Sequence, residues 1–135
     1  APDTKMSIME IKWGLVPDMS GLLLMPDMAR TDVMRELTFT GRIFTGAEAQ
    51  GYGFATRVCD DPRAEALAVA REIASKSPHA IRAAKRLLDL SLEADAATVL
   101  IKETEEQVAL IGSPNQIESV MANMQKRAPD FADVA

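Results

Sequence analysis

From residue 61 onward, apolar and polar positions recur with the period of an amphipathic helix. Helix starts are marked by a capping residue followed by proline at the first helical position. These pairs are Asp61-Pro62, Ser77-Pro78 and Ser113-Pro114. A further helix is predicted from about residue 95 to about residue 110. The connections are short, so the apolar faces either pack on one another or cover another part of a protein.

Residues 1–60 show a different pattern, in which short apolar runs are separated by Gly and Pro. Thr45, followed three positions later by Glu48, forms a capping box that opens a short helix. Another short helix is expected to be capped by Thr31 or Asp32. The predicted elements of this region are strands over 5–9 and 55–59 and helices over 19–28, 31–39 and 47–51.

These patterns predict a mixed α/β fold that is predominantly helical, with one region over residues 1–60 and a second over residues 61–135. The chain has eight Met and only 4% aromatic residues. Met packs adaptably into irregular spaces, so these side chains are predicted to fill most of the core. A pocket for a flexible ligand is the alternative.

Charge and composition narrow the possible partners. The net charge of −5 opposes binding to nucleic acid or to anionic membrane surfaces. One Cys and one His exclude an internal disulfide and give no ligand set for a metal, so no metal site is predicted. No apolar run reaches the roughly 18 residues that a membrane helix needs. We therefore expect a cytoplasmic protein without nucleic-acid or membrane partners.

Several motifs then follow one another along almost the whole chain. Residues 9–21, M-E-I-K-W-G-L-V-P-D-M-S-G, resemble the stretch P-E-x-x-x-G-L-x-P-D-x-G-G of the crotonase family of enoyl-CoA hydratases and isomerases. Residues 37–42 resemble the family's L-x-x-T-G-R, and residues 125–131 resemble its E-K-R-x-P-x-F. Because the matches are collinear, the chain resembles the C-terminal half of a crotonase-like fold.

The resemblance implies a function for the parent protein. Residues 1–60 would end the crotonase spiral core, and residues 61–135 would form the helical region that makes trimers. The parent would hydrate or isomerise an acyl-CoA thioester through an enolate, as a homotrimer or hexamer. Coenzyme A would enter as part of the substrate, with no separate cofactor. The family's oxyanion-hole N–H groups lie in the preceding half, so this chain alone is predicted to be inactive.

The resemblance also implies roles for individual residues. Glu10 matches a family acid/base glutamate, and Asp18 matches an acid that several isomerases use. Their joint presence favours isomerisation over hydration. The substrate-binding residues implied are Trp13, Met19 and Leu22 along the acyl tunnel and Lys126 near the CoA phosphates.

Each of these roles has a structural alternative. Glu10 can cap or pair within a tight turn, and Asp18 can cap the helix over 19–28. Core packing is the alternative for most of the residues assigned to the acyl tunnel, Trp13, Met19 and Leu22. Lys126 can be a solvated residue at a helix end. For the whole chain, the alternative from another class is a non-catalytic helical oligomerisation module. Ser20 departs from the family motif, which usually has Gly there.

Overall fold

The computed structural model describes residues 1–133. It is predominantly helical with two short strands, which confirms the predicted fold class. The described chain forms two compact units, which divide between Ala66 and Leu67. In chain order the elements are β1 (Lys5–Met6), a 3₁₀ helix (Glu10–Trp13), α1 (Gly21–Leu24), a second 3₁₀ helix (Met25–Asp27), α2 (Thr31–Thr40), β2 (Phe44–Thr45), α3 (Gly46–Tyr52), α4 (Pro62–Ala74), α5 (Pro78–Ser91), α6 (Ala96–Leu110) and α7 (Pro114–Gln125).

The first unit has a small core around α2 and α3. Strands β1 and β2 pair antiparallel, with Lys5 opposite Thr45 and Met6 opposite Phe44. The Phe44 ring packs at a tilt against its aromatic neighbours, with centroids 6.1 Å from Tyr52 and 5.8 Å from Phe54. The buried apolar residues of this core are Ile8, Ala29, Met34, Leu37, Phe44 and Ala49.

Several elements of the first unit differ from the prediction. The strand expected over 5–9 is limited to Lys5–Met6, and β2 at Phe44–Thr45 was not predicted. The helix expected over 19–28 begins at Gly21 and becomes a 3₁₀ helix at Met25. Pro26 accounts for the change, because proline has no N–H to donate and its ring clashes with the carbonyl four residues earlier. The strand predicted at Ala55–Cys59 is irregular. A strand needs a hydrogen-bonded neighbour, and the only two strands within residues 1–133 pair with each other.

Most helix starts were predicted correctly. Helices α4, α5 and α7 begin at Pro62, Pro78 and Pro114, as the capping pairs indicated. The prediction that Thr31 or Asp32 caps α2 was wrong. The N-cap is Arg30, whose side chain makes no capping hydrogen bond, and the Asp32 carboxylate instead accepts two hydrogen bonds from the Arg30 guanidinium.

The second unit is held by α5, which contacts both α6 and α7. The Arg86 guanidinium on α5 donates two hydrogen bonds, of 2.6 and 2.7 Å, to the Glu106 carboxylate on α6. Small residues mark the close approaches, since Ala83 and Ala122 are almost fully buried. The larger apolar residues stay exposed, among them Leu88, Val108 and Met124. The apolar faces of these helices therefore remain exposed and available to cover another surface, and the helices do not form a closed bundle.

The methionines do not fill the core as predicted. Met34 is fully buried, whereas Met19 is 88% exposed and Met124 is 75% exposed. The core of the first unit is small, and the other Met lie on partly or largely exposed faces. Within residues 1–133, no helix is long and apolar enough to cross a membrane. The same residues contain no group of His, Cys, Asp and Glu that could hold a metal ion.

The Glu118 carboxylate ties the end of α7 to the chain that follows. It accepts a hydrogen bond of 2.8 Å from Arg127 Nη2 and one of 2.7 Å from the Asp130 backbone N–H. These donors, the Arg127 guanidinium first, lower the pKa of Glu118 from its ordinary 4.5 to about 2. Because the folded pKa is depressed, the stabilisation is complete above the unfolded pKa and is lost as the pH falls toward 2.

We therefore expect the free energy of unfolding to decrease between about pH 5 and about pH 2, partly through Glu118. Urea unfolding at a series of pH values measures this decrease. Glu118→Gln should be less stable than the parent at neutral pH and should show a shallower acid dependence. An unchanged slope in this variant would contradict the assignment.

Candidate active site

Glu10 stands at the start of the 3₁₀ helix Glu10–Trp13, which we call the Glu10 turn. Gly14 ends the turn in the left-handed region, with φ of 68°, and its N–H donates to the carbonyls of Glu10 and Ile11. The Leu15 N–H also donates to the Glu10 carbonyl, at 3.1 Å. These bonds close the turn on itself and fix the backbone that carries Glu10.

The Glu10 carboxylate is only partly exposed, and one of its oxygens, Oε2, is buried without a hydrogen-bond partner. Among residues 1–133 it forms no ion pair, and the N-cap of the turn is Met9 without a side-chain cap. The alternative that Glu10 serves to cap or pair within the turn therefore has no support. A buried carboxylate oxygen without a donor is costly in free energy, which singles out Glu10 as a candidate for chemistry.

Asp18 lies in the irregular segment between the Glu10 turn and α1, and its side chain is exposed. The N-cap of α1 is Ser20, and no side chain caps this helix. The structural alternative for Asp18, a helix cap, is therefore wrong. Ser20 adopts the left-handed conformation with φ of 61°, which explains why Gly suits this position in the family motif. The catalytic role of Asp18 stays a prediction.

The three residues expected along the acyl chain differ in their surroundings. Trp13 is 76% exposed and Leu22 is 49% exposed. Leu22 lines a groove that lies between α1 and α2 and has a volume of about 250 Å³. The other residues that line it are Pro26, Thr31, Met34, Arg35, Thr38 and Phe39. Trp13 and Met19 lie outside this groove, so their predicted contact with an acyl chain stays a prediction.

Lys126 forms the C-cap of α7 in the left-handed conformation, with φ of 54°. Its exposed ammonium forms no ion pair within residues 1–133. The neighbouring Arg127 is different, because its guanidinium is bound to Glu118 and also donates to Gln125 Oε1 at 2.7 Å. Of the two basic residues at this helix end, Lys126 is therefore the one available to an anionic ligand.

Arg42 joins α2 to α3 in a network that the sequence analysis missed. Its guanidinium donates to Glu36 Oε1 at 2.6 Å, to Glu48 Oε1 at 3.1 Å and to the Tyr52 hydroxyl at 2.8 Å. These hydrogen bonds raise the pKa of Arg42, with Glu36 as the largest contributor. The Thr45 backbone N–H, followed by Arg42, lowers the pKa of Glu48. Arg42 ends the sequence T-G-R and Glu48 ends the sequence T-G-x-E, but neither sequence indicates that the two side chains are in contact.

The fold and the Glu10 turn can now be compared with known proteins. The sequence profile that describes the enoyl-CoA hydratase/isomerase family matches residues 1–134. This chain belongs to that family. The match spans both units, so membership does not depend on the Glu10 motif alone.

The chain is similar in sequence to two enoyl-CoA hydratase family members of different origin. It is 28% identical to the mitochondrial methylglutaconyl-CoA hydratase of Mus musculus, with 97% of this chain and 44% of that protein aligned. It is 35% identical to a probable enoyl-CoA hydratase of Mycobacterium leprae, with 90% of this chain and 48% of that protein aligned. The chain thus spans about half the length of the curated relatives it matches.

Solved structures give the same result for the fold. The enoyl-CoA hydratase of Bacillus anthracis superposes with a TM-score of 0.90 at 26% identity, over 96% of this chain and 51% of that one. A probable enoyl-CoA hydratase/isomerase of Mycobacterium abscessus superposes with a TM-score of 0.86 at 33% identity, over 97% of this chain and 53% of that one. The chain has the fold of the helical C-terminal half of the crotonase fold.

Proposed function

We propose that this chain supplies the acid/base residue, Glu10, of an enzyme that hydrates or isomerises enoyl-CoA thioesters. The observation that supports this most directly is the buried and unpartnered Oε2 atom of Glu10. Because no group of the described chain occupies this oxygen, it can accept a hydrogen bond from a bound water or substrate, as a group that transfers protons must. The substrate would bring coenzyme A with it, and no separate cofactor is proposed.

Hydration would use the carboxyl group as follows. A water oxygen bonds to the β-carbon of the conjugated thioester while a carboxylate takes the proton that the water loses, and a carboxyl group then delivers a proton to the α-carbon. Between these steps the thioester is an enolate, whose oxygen needs N–H donors aimed at it. We expect these donors in the half that the relatives have in addition to this one, as the family resemblance implies. Glu10 is proposed for one of the two proton transfers, and the hydratase names of the relatives support this reaction.

Isomerisation is the second candidate, and the presence of Asp18 favours it. An isomerase moves a double bond by removing a proton from one carbon and returning one to another, for which two carboxylates are sufficient. Asp18 follows Glu10 by eight positions, across the segment between Gly14 and Pro17. Glu10 would then perform one transfer and Asp18 the other.

Replacing Asp18 by Asn separates the two reactions. If Asp18 transfers a proton, we expect isomerisation to fall by about 10²-fold while hydration changes little. Both rates are measured on the full-length protein, meaning this chain together with the half that its relatives carry, by resolving the hydrated and isomerised thioesters chromatographically. Asp27→Asn, also in an exposed part of the first unit, is the matched control. Equal loss of both reactions, or of neither, would remove Asp18 from the isomerase mechanism.

The proposed function is tested by comparing the full-length protein with this chain alone. The full-length protein should convert an enoyl-CoA thioester, whereas the 135 residues alone should show no turnover because they lack the oxyanion-hole donors. Turnover by the isolated chain would contradict the proposed division of the site. Absence of thioester binding by the full-length protein would favour the non-catalytic oligomerisation module instead.

Two further parts of the proposal concern partners. We propose that Lys126, whose ammonium forms no ion pair within residues 1–133, approaches the phosphates of coenzyme A. We also propose a homotrimer or hexamer, since the helices of the second unit expose apolar residues such as Leu88, Val108 and Ile111. Light scattering on the full-length protein measures the number of subunits directly.

A further inference from the structure

The end of helix α2 lies directly against the Glu10 turn. Gly41 terminates α2 in the left-handed conformation, with φ of 58°. A Cβ atom at this position would stand only 2.9 Å from Ile11 Cγ2 and 3.5 Å from Lys12 Cγ. Both side chains belong to the Glu10 turn, so the turn can approach α2 this closely only because residue 41 has no side chain.

A hydrogen bond joins the same two segments on the other side. The Ser7 hydroxyl donates to the Gly41 carbonyl at 3.0 Å, in a partly buried position. Ser7 precedes Glu10 by three residues, and Ile8, between them, is buried in the core. The chain that enters the turn and the turn itself are therefore both held against Gly41.

Gly41 is itself fixed by its neighbour. Arg42 donates to Glu36 on α2 and to Glu48 and Tyr52 on α3, so the backbone that follows Gly41 is held between two helices. A surface on which a catalytic group rests must be rigid if the group is to keep its geometry. This network gives that rigidity to the end of α2, where Gly41 lies against the Glu10 turn.

We propose that Gly41 and Ser7 are positioning residues that set the location of the Glu10 carboxylate. The inference rests on the proposed acid/base role of Glu10. A methyl group at residue 41 would overlap Ile11 Cγ2, so the Ile11 side chain or the turn that carries it would have to shift, and loss of the Ser7 hydroxyl would release the entering chain. Proton transfer depends steeply on such distances, since a displacement of about 1 Å can cost about 10²-fold in rate.

The test uses the full-length protein and an enoyl-CoA thioester. Gly41→Ala and Ser7→Ala are expected to lower kcat by about 10- to 100-fold and to change KM by less than about 3-fold. Ser7→Thr keeps the hydroxyl and should restore most of kcat. Gly112→Ala is the matched control for backbone strain, because Gly112 has φ of 77° and nothing within 4 Å of its Cβ position. It should lose stability while keeping kcat.

A double-mutant cycle separates positioning from a general loss of structure. In a Glu10→Gln background, Ser7→Ala and Gly41→Ala should lower the residual kcat by less than about 3-fold, since the group that they position is absent. Equal loss with and without Glu10 would overturn the inference, as would an unchanged kcat in Ser7→Ala. If Gly41→Ala does not fold, the Ser7→Ala and Ser7→Thr pair decides. An active Glu10→Gln variant would instead refute the proposed function itself.

Discussion

Glu10→Gln is expected to lower kcat of the full-length protein by about 10²- to 10⁴-fold, while KM changes by only a few-fold. The amide has nearly the shape of the carboxylate but cannot accept or deliver a proton. Oε2 of Glu10 is buried and unpartnered in this chain, so the substitution breaks no hydrogen bond of the described structure. Steady-state kinetics on a short enoyl-CoA thioester measures both constants.

A control glutamate makes the result specific. Glu103 lies on α6, its side chain is exposed, and Glu103→Gln makes the same chemical change far from the Glu10 turn in sequence. It should leave kcat and KM within about 2-fold, because exposed substitutions of this kind have small effects. The stability of Glu10→Gln should stay close to that of the parent, because the substitution breaks no hydrogen bond of the described structure. A kcat within 3-fold of the parent would eliminate Glu10 as the acid/base group.

Gly53→Ala is expected to lower the free energy of unfolding by about 3 kcal/mol. Gly53 ends α3 with φ of 103°, a region that side chains rarely adopt. A Cβ atom at residue 53 would also overlap the backbone carbonyl oxygen of Met28, which lies just before α2. Backbone atoms cannot rotate aside as a flexible side chain can, so α3 would have to move. Urea unfolding measures the loss.

Two other glycines divide this effect into its parts. Gly14 has φ of 68° but open space around its Cβ position, so Gly14→Ala isolates the backbone strain of about 1–2 kcal/mol. Gly51 lies within α3, with open space and no positive φ, so Gly51→Ala should raise stability by about 0.5–1 kcal/mol. Similar losses in Gly53→Ala and Gly14→Ala would show that the clash with Met28 is relieved at no cost.

Local signals in the sequence predicted the helices well. Thr45 and Glu48 form the expected capping box, in which the Thr45 hydroxyl accepts from the Glu48 N–H and the Glu48 carboxylate accepts from the Thr45 N–H. Ser113 caps α7 by accepting from the Gln116 N–H. Each of these interactions involves residues three apart in the chain. Such contacts are set by backbone geometry alone, so a reading of neighbouring residues is sufficient to predict them.

Contacts between residues that are further apart in the chain could not be predicted from these local signals. The residues 55–59 alternate as a strand does, yet no neighbouring strand is present to pair with them within residues 1–133. Arg42 binds Tyr52, ten positions away, only because β2 and α3 fold back beside it. Periodicity specifies which face of an element is apolar, but not which element lies opposite.

For the candidate site, too, the sequence predicted individual residues but not the contacts between them. The motif around Glu10 made this residue a candidate, but it gave no indication that Gly41 lies against the turn. Leu22 was predicted to contact an acyl chain and does line a groove. Trp13, Met19 and Lys126 are exposed in this chain, and their binding roles stay predictions. Sequence similarity gave the family, whereas the proposal for Gly41 and Ser7 rests on local packing that only the structure shows.

The side-chain amide of Asn115 limits where the chain can be truncated when the protein is expressed. It is 2% exposed, its Nδ2 donates to the Ala132 carbonyl at 2.9 Å, and its Oδ1 accepts from the Ala132 N–H at the same distance. The Asn115 side chain thus forms the pair of backbone hydrogen bonds with Ala132 that a neighbouring β-strand would form in a sheet. A truncation made before Ala132 would leave this amide without those two partners beside His79, exposing the α5–α7 contact to water. Purification tags and cleavage sites are therefore best placed beyond Ala132.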